Sequence, residues 1–199
     1  MVELLIVVAI LGILLAVALP SFNDWIQDAQ VHTVAESIVQ GLQATRAEAV
    51  RRNNVAQLSF PGTLGGVTER GGADWQILVN PANNSFPGAT FNASGAETIR
   101  RHNATESGRN ARIGVSLGTM ASYTRTVNNI AIGANMPAQV QFNGLGRIVP
   151  DAGQYVWQIR VQHVSNPNAR NRVIFISLDG QVLMCDPKIS LAVNPQGCV

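Results

Sequence analysis

Residues 4–19 (LLIVVAILGILLAVAL) are apolar without a break. Beyond Pro20 the pattern becomes periodic. Phe22, Trp25/Ile26, Val31, Val34/Ala35, Ile38, Leu42, Thr45 and Ala49 recur among polar residues, mostly at spacings of three and four. That is the stripe of an amphipathic helix. Glu48 precedes Arg52 by four residues, the favourable order for a helical ion pair. Arg51 and Arg52 suit the negative end of the helix dipole, and Asn53-Asn54 supplies a stop. The two patterns predict one helix of about 50 residues, ~75–80 Å long. Its first third is apolar all round and the rest is apolar on one face. A globular unit can pack on the second part while the first projects.

From residue 54 onward the period changes. Val55–Phe60, Trp75–Asn80, Arg112–Leu117, Val127–Ile132, Ala138–Phe142, Tyr155–Val164, Arg172–Leu178 and Gln181–Cys185 read as strands. Asp179-Gly180 is a strong hairpin signal and Asn143-Gly144 a weaker one. Residues 61–73 and 81–110 are rich in glycine, asparagine and proline and read as long surface loops. The expected class is α+β: a long N-terminal helix packed on an antiparallel β-sheet domain. The predicted units are 1–20 (membrane-spanning or polymerisation half of the helix), 21–53 (amphipathic half) and 54–199 (β-rich globular domain).

Charge sharpens the first segment. Charged residues are 13% of the chain, about half the usual quarter. Residues 1–23 contain one, Glu3. The mean hydropathy of +0.13 excludes a disordered, highly charged chain. A net charge of +2 does not by itself point to nucleic acid. Sixteen apolar residues span about 24 Å, slightly short of a ~30 Å hydrocarbon core. A lone carboxylate beside such a run is expensive and implies a specific partner. A cleaved secretory signal would use Ala16-Val17-Ala18 as its small-residue site, but no basic residue precedes the run. A plain single-span anchor leaves Glu3 without a role.

Candidate chemistry is sparse. Gly114-Val-Ser116-Leu-Gly118 matches the G-x-S-x-G pattern, and Asp151 and His163 follow in Ser–Asp–His order. That motif needs a strand–turn–helix elbow, and residues 119–124 carry no helical pattern. An exported serine hydrolase is therefore the least favoured alternative. His32, His102 and His163 have no metal-ligand spacing, so no metal or cofactor is expected. Cys185 and Cys198 close a loop of about a dozen residues. In an exported chain they pair, which stabilises the fold by roughly 3 kcal/mol.

Met1-Val-Glu-Leu-Leu-Ile-Val-Val-Ala-Ile-Leu-Gly-Ile-Leu-Leu-Ala-Val-Ala-Leu-Pro20 resembles the N-terminus of type IV pilins and type II secretion pseudopilins. The family pattern has a short basic leader ending in Gly, then Phe-Thr-Leu-[Ile/Val]-Glu-Leu and an apolar rod. Glu3, Gly12 and Pro20 align with it at one constant offset. The pattern's leader, cleavage site and first two mature residues fall before the position of Met1. Further along, Leu42–Leu58 resembles the GspH/FimT branch, whose AR-x-EA-x-x-RN segment runs into a strand; Thr45-Arg46 replaces Ala-Arg here. Cys185-Asp186-Pro187 with Cys198 resembles the end of minor pilins of that branch.

The resemblance implies a type IV pilin-like fold and a structural, non-enzymatic role as a minor pilin or pseudopilin. It implies that Glu3, Gly12 and Pro20 serve assembly. The implied partners are other pilin or pseudopilin subunits, an inner-membrane assembly platform, and prepilin peptidase acting on the full-length precursor. The implied location is the inner membrane of a Gram-negative bacterium, with a periplasmic domain, and then a filament. Some members of the group bind DNA through a basic Gly-Arg-x-Arg tail. The matching position here reads Gly180-Gln-Val-Leu183, without either arginine. Arg170 and Arg172, one strand earlier, are left as the candidate phosphate contacts of an alternative DNA-binding role.

Overall fold

The computed structural model describes residues 2–80, 91, 93–119, 121 and 126–198, and the backbone alone for residues 15–21. A single helix, α1 (Val2–Arg52), runs through both predicted halves. It stops where the sequence indicates. Asn53 takes a left-handed conformation (φ 47°), and the Asn54 amide donates to the Ala49 carbonyl at 3.0 Å.

The remaining chain forms eleven strands and one short helix among the described residues. They are β1 (Ala56–Phe60), β2 (Thr63–Leu64), β3 (Val67–Thr68), β4 (Trp75–Val79), β5 (Glu97–His102), α2 (Ala104–Gly108), β6 (Ala111–Gly118), β7 (Ala138–Phe142), β8 (Ile148–Val149), β9 (Tyr155–His163), β10 (Arg172–Ile176) and β11 (Val182–Cys185). One sheet has the order β5-β4-β1-β7-β8 and the other β11-β10-β9-β6. Every strand pairing in them is antiparallel. β2 and β3 pair only with each other.

Helix α1 packs on both sheets through one face. Val31, Val34, Ala35, Ile38, Leu42, Thr45 and Ala49 are all fully buried. They meet Leu58, Phe60, Ile77, Ile159, Ile174 and Phe175 in one continuous core. Phe22 and Trp25 do not share this burial. At 3.6 residues per turn they lie about half a turn round the helix from the stripe. They are 58% and 65% exposed.

Three sequence expectations fail, each for a physical reason. Residues 127–132 form no strand. This segment crosses the face of the four-stranded sheet, so its backbone has no ladder to join. Side-chain amides take the ladder's place: Gln158 bonds both the N–H and the C=O of Asn128 at 3.0 Å, and Gln162 Nε2 donates to the Ile130 carbonyl at 2.7 Å. A Cβ at Gly114 would lie 2.1 Å from the Ala131 oxygen, so the crossing requires glycine there. Secondly, residues 81–110 are not all loop, because 97–102 form the edge strand β5 and 104–108 form α2. β5 carries Arg100 and Arg101, is mostly exposed, and has a register shift opposite Ile77/Leu78. Charge and a bulge discourage unwanted edge pairing and also hide the strand's alternation. Residues 81–90 and 92 lie outside the described residues. Thirdly, the 61–73 loop contains the β2–β3 hairpin. It is tied down by Asp74, whose carboxylate accepts from Thr63 Oγ1, the Gly66 amide and the Ala104 amide.

Arg46 joins helix to sheet. Its Nε donates to the Gly146 carbonyl at 3.0 Å and its Nη2 to the Asp179 carbonyl at 3.2 Å. Both acceptors lie in hairpin turns. Gly180 (φ +81°) lies so close that a Cβ there would be 2.1 Å from the Gly146 oxygen. Arg46→Ala is expected to destabilise the fold by ~2 kcal/mol, the scale of lost hydrogen bonds from a charged donor. Arg46→Lys should recover little, because an ammonium cannot reproduce the fork. Urea unfolding of the detergent-solubilised chain measures both.

Candidate assembly interface

The N-terminal third of α1 stands clear of the domain. From Val2 to Leu14 every residue is exposed, and only Glu3 is charged. Leu4, Leu5, Ile6, Val7, Val8, Ile10, Leu11, Ile13 and Leu14 are each more than half exposed. An apolar surface this continuous is rare on a soluble monomer. Glu3 lies in the first helical turn, where the dipole favours an acid, and has no ion-pair partner among the described residues. A Cβ at Gly12 would touch nothing within 4 Å. The backbone stays helical through Pro20 even though proline cannot donate to the helix ladder. Among the described residues no helix is long and apolar enough to cross a membrane. The predicted run at 4–19 enters residues 15–21, whose side chains lie outside that set.

The domain takes hold of the helix at residues 24–28. The β9–β10 loop reaches α1 there: Asn166 Nδ2 donates to Gln27 Oε1 at 2.6 Å and to Asp24 Oδ1 at 3.3 Å, and the Arg170 amide donates to Asp28 Oδ1 at 2.6 Å. The Arg170 guanidinium lies 3.9 Å from the same carboxylate. Sequence reasoning missed this clasp, since a polar loop carries no periodic signal. Asp24 and Asp28, four apart on one helix face, were the available hint.

His163 anchors that loop. Its Nδ1 accepts the amides of Ser165 (3.2 Å) and Asn166 (3.1 Å), which fixes the neutral ring with its proton on Nε2. Burial pushes its pKa down, and burial does the same to His102, which stacks on Trp75. In the unfolded chain a histidine titrates near ~6.5. Below that pH the unfolded state holds more protons than the folded one, so stability falls as pH drops. The urea midpoint is expected to be lower at pH 5 than at pH 8, with a smaller difference in His163→Gln. Equal midpoints in the wild type would contradict this.

The AR-x-EA-x-x-RN segment is structural. Arg46 clamps the two turns; Glu48 accepts from Arg51 (2.6 Å) and Arg52 (3.1 Å). Arg52 also reaches Glu97 on β5 at 2.5 Å, and Asn53 caps the helix. The hydrogen bond from Arg51 is the main cause holding the Glu48 carboxyl below its ordinary pKa; burial opposes it, and the hydrogen bond from Arg52 and the charges of both arginines add to the lowering.

At the other end of the chain, Cys185 and Cys198 form a disulfide with Cα atoms 5.1 Å apart. Beside it Arg172 Nη1 donates to Asp186 Oδ2 at 2.9 Å, and Asp186 is 4% exposed. Of the two candidate phosphate contacts, Arg172 is engaged by the buried Asp186, whereas the Arg170 guanidinium is 60% exposed and lies 3.9 Å from Asp28. The sequence 180–183 lies in the β10–β11 turn and the start of β11.

Ser116, Asp151 and His163 are not brought together. Residues 114–118 lie inside β6, with no elbow. Ser116 sits opposite Gln158, and His163 sits opposite Ala111. Five residues of strand, ~16 Å, separate the two positions. Asp151 instead pairs with Gln154 and accepts from Gln139. Among the described residues no group of three or more His, Cys, Asp or Glu could hold a metal ion.

No curated protein sequence matches the chain. Among solved structures it is similar to the type IV minor pilin FimU of Pseudomonas aeruginosa, at 15% identity and TM-score 0.47 over 85% of this chain and 95% of that one. It is also similar to the minor pseudopilin EpsH from the type 2 secretion system of Vibrio cholerae, at 8% identity and TM-score 0.46 over 80% and 99%. The family model described as "Type II transport protein GspH" matches residues 34–180, from the buried stripe of α1 through β10 to the turn before β11. The chain therefore belongs to the GspH family of pilin-like proteins.

Proposed function

We propose that this protein is a minor pilin or pseudopilin that assembles into a type IV pilus or type II secretion pseudopilus through the N-terminal third of α1. Members of this family are structural subunits rather than enzymes. The observation that carries the assembly reading is the bare apolar helix from Val2 to Leu14 with its single acid. Before assembly, residues 4–19 lie in the inner membrane with the β domain in the periplasm. On extraction by the assembly platform, the rods of many subunits bundle as the filament core. There Glu3 neutralises the N-terminal amine of a neighbour, because a carboxylate in apolar surroundings needs a paired cation. Gly12 has low helix propensity and Pro20 removes a hydrogen bond from the helix ladder, so the segment they bracket is where a rod under load can lengthen.

The test is fractionation of cells expressing a tagged chain. In a strain lacking the assembly motor it should remain in the inner membrane and resist carbonate extraction. With the motor present, part of it should move to sheared filaments. Recovery only in the soluble fraction in both strains would refute the reading.

A further inference from the structure

Phe22 and Trp25 form a stacked pair, ring centroids 5.9 Å apart, on the outside of α1. Both are more than half exposed, whereas Trp75 and Trp157 are buried. A large aromatic pair facing water needs a partner. The β domain does not supply it. Asp24, Gln27 and Asp28, which the domain grips, lie on roughly the opposite side of the helix at 100° per residue. The buried stripe that begins at Val31 lies on that far side too.

Position along the axis identifies what covers the pair. A ~30 Å hydrocarbon core takes about 20 helical residues. Measured from Leu4, it ends near residue 23, four residues beyond the apolar run. Phe22 therefore lies at the core boundary and Trp25 ~3 Å outside it. Helical side chains also lean toward the N-terminus, which carries the indole back toward the lipid. A short apolar run followed by interfacial aromatics is the usual answer to a thickness mismatch.

We propose that Phe22 and Trp25 are a membrane-interface anchor. Before assembly they sit in the glycerol and headgroup layer of the bilayer, and they set the depth of the rod and the height of the β domain above the lipid. This rests on the membrane placement of residues 4–19 proposed above.

The experiment uses the full chain in phosphatidylcholine vesicles carrying bromines either near the headgroup or near the chain ends. The difference in fluorescence between wild type and Trp25→Phe isolates Trp25, since Trp75 and Trp157 are common to both. The expected result is stronger quenching of Trp25 by the headgroup-proximal bromines, with emission blue-shifted from that of indole in water. Stronger quenching by the deep bromines would overturn the proposal. So would water-like emission without quenching, or blue-shifted emission without quenching, which would mean that a second copy covers the pair. Carbonate extraction of the same vesicles separates the two ideas. A resistant chain with unquenched Trp25 refutes the anchor alone, and an extractable chain refutes the membrane placement and the anchor together.

Discussion

Glu3→Leu is expected to leave the β domain folded and to deplete the chain from sheared filaments by at least about a hundredfold. The domain's contacts with α1 begin at Asp24, so a change near residue 3 is far from every buried residue of the core. The effect is specific to assembly. Among bundled rods the amine that Glu3 faces would stay charged without a partner, at a cost of ~3–5 kcal/mol. At 1.4 kcal/mol per factor of ten, the lower figure already corresponds to about a hundredfold. Glu3→Gln should fail nearly as badly, because it keeps shape but not charge. Circular dichroism and urea unfolding check the fold, and immunoblots of sheared filaments check incorporation. Wild-type amounts of Glu3→Leu in filaments would remove the acid from the mechanism.

Arg172→Ala should give the largest loss of stability. It strands the Asp186 carboxylate, which is almost wholly buried and has Arg172 as its only ion-pair partner among the described residues. Breaking a buried pair from one side costs ~3–5 kcal/mol. For a domain of this size that is a fall in Tm of roughly 10 °C. Asp186 also accepts the Lys188 amide at 2.9 Å, and its own amide donates to the Gln196 carbonyl at 2.8 Å. The damage should therefore reach the loop closed by Cys185–Cys198. Replacing both partners, as in Arg172→Met with Asp186→Leu, should recover much of the loss, since no buried charge is left unpaired. The same series separates a structural arginine from a phosphate contact. A phosphate contact would change DNA retention with little change in Tm. Here a large change in Tm is expected.

Sequence alone was most informative where one period ran long. The rod, the stripe from Val31 to Ala49 and the Asn53 stop all appear in the structure where their pattern put them. Phe22 and Trp25 fit the stripe by being apolar, although the jump from Ile26 to Val31 breaks the spacing that defines it. That break is where the helix face presented to the domain begins. Strands with a buried alternating face, such as β4 and β9, were legible. β5 was not, because an exposed edge strand carries arginines where a core strand carries valines. Residues 127–132 have the composition of a strand. Their conformation is set by Gln158, Gln162 and Gly114, three residues on other segments, and no local pattern encodes that. The clasp at Asp24–Asp28 is likewise a meeting of two polar segments about 140 residues apart.

In the proposed assembly the bare rod becomes the inside of a filament. A photoactivatable phenylalanine analogue at Ile13, which is 66% exposed on the rod, tests it directly in sheared filaments. Cross-links from residue 13 to the apolar N-terminal segments of other filament subunits are expected, identified by mass spectrometry. Cross-links to lipid alone, or no cross-link in filaments that contain the chain, would contradict it.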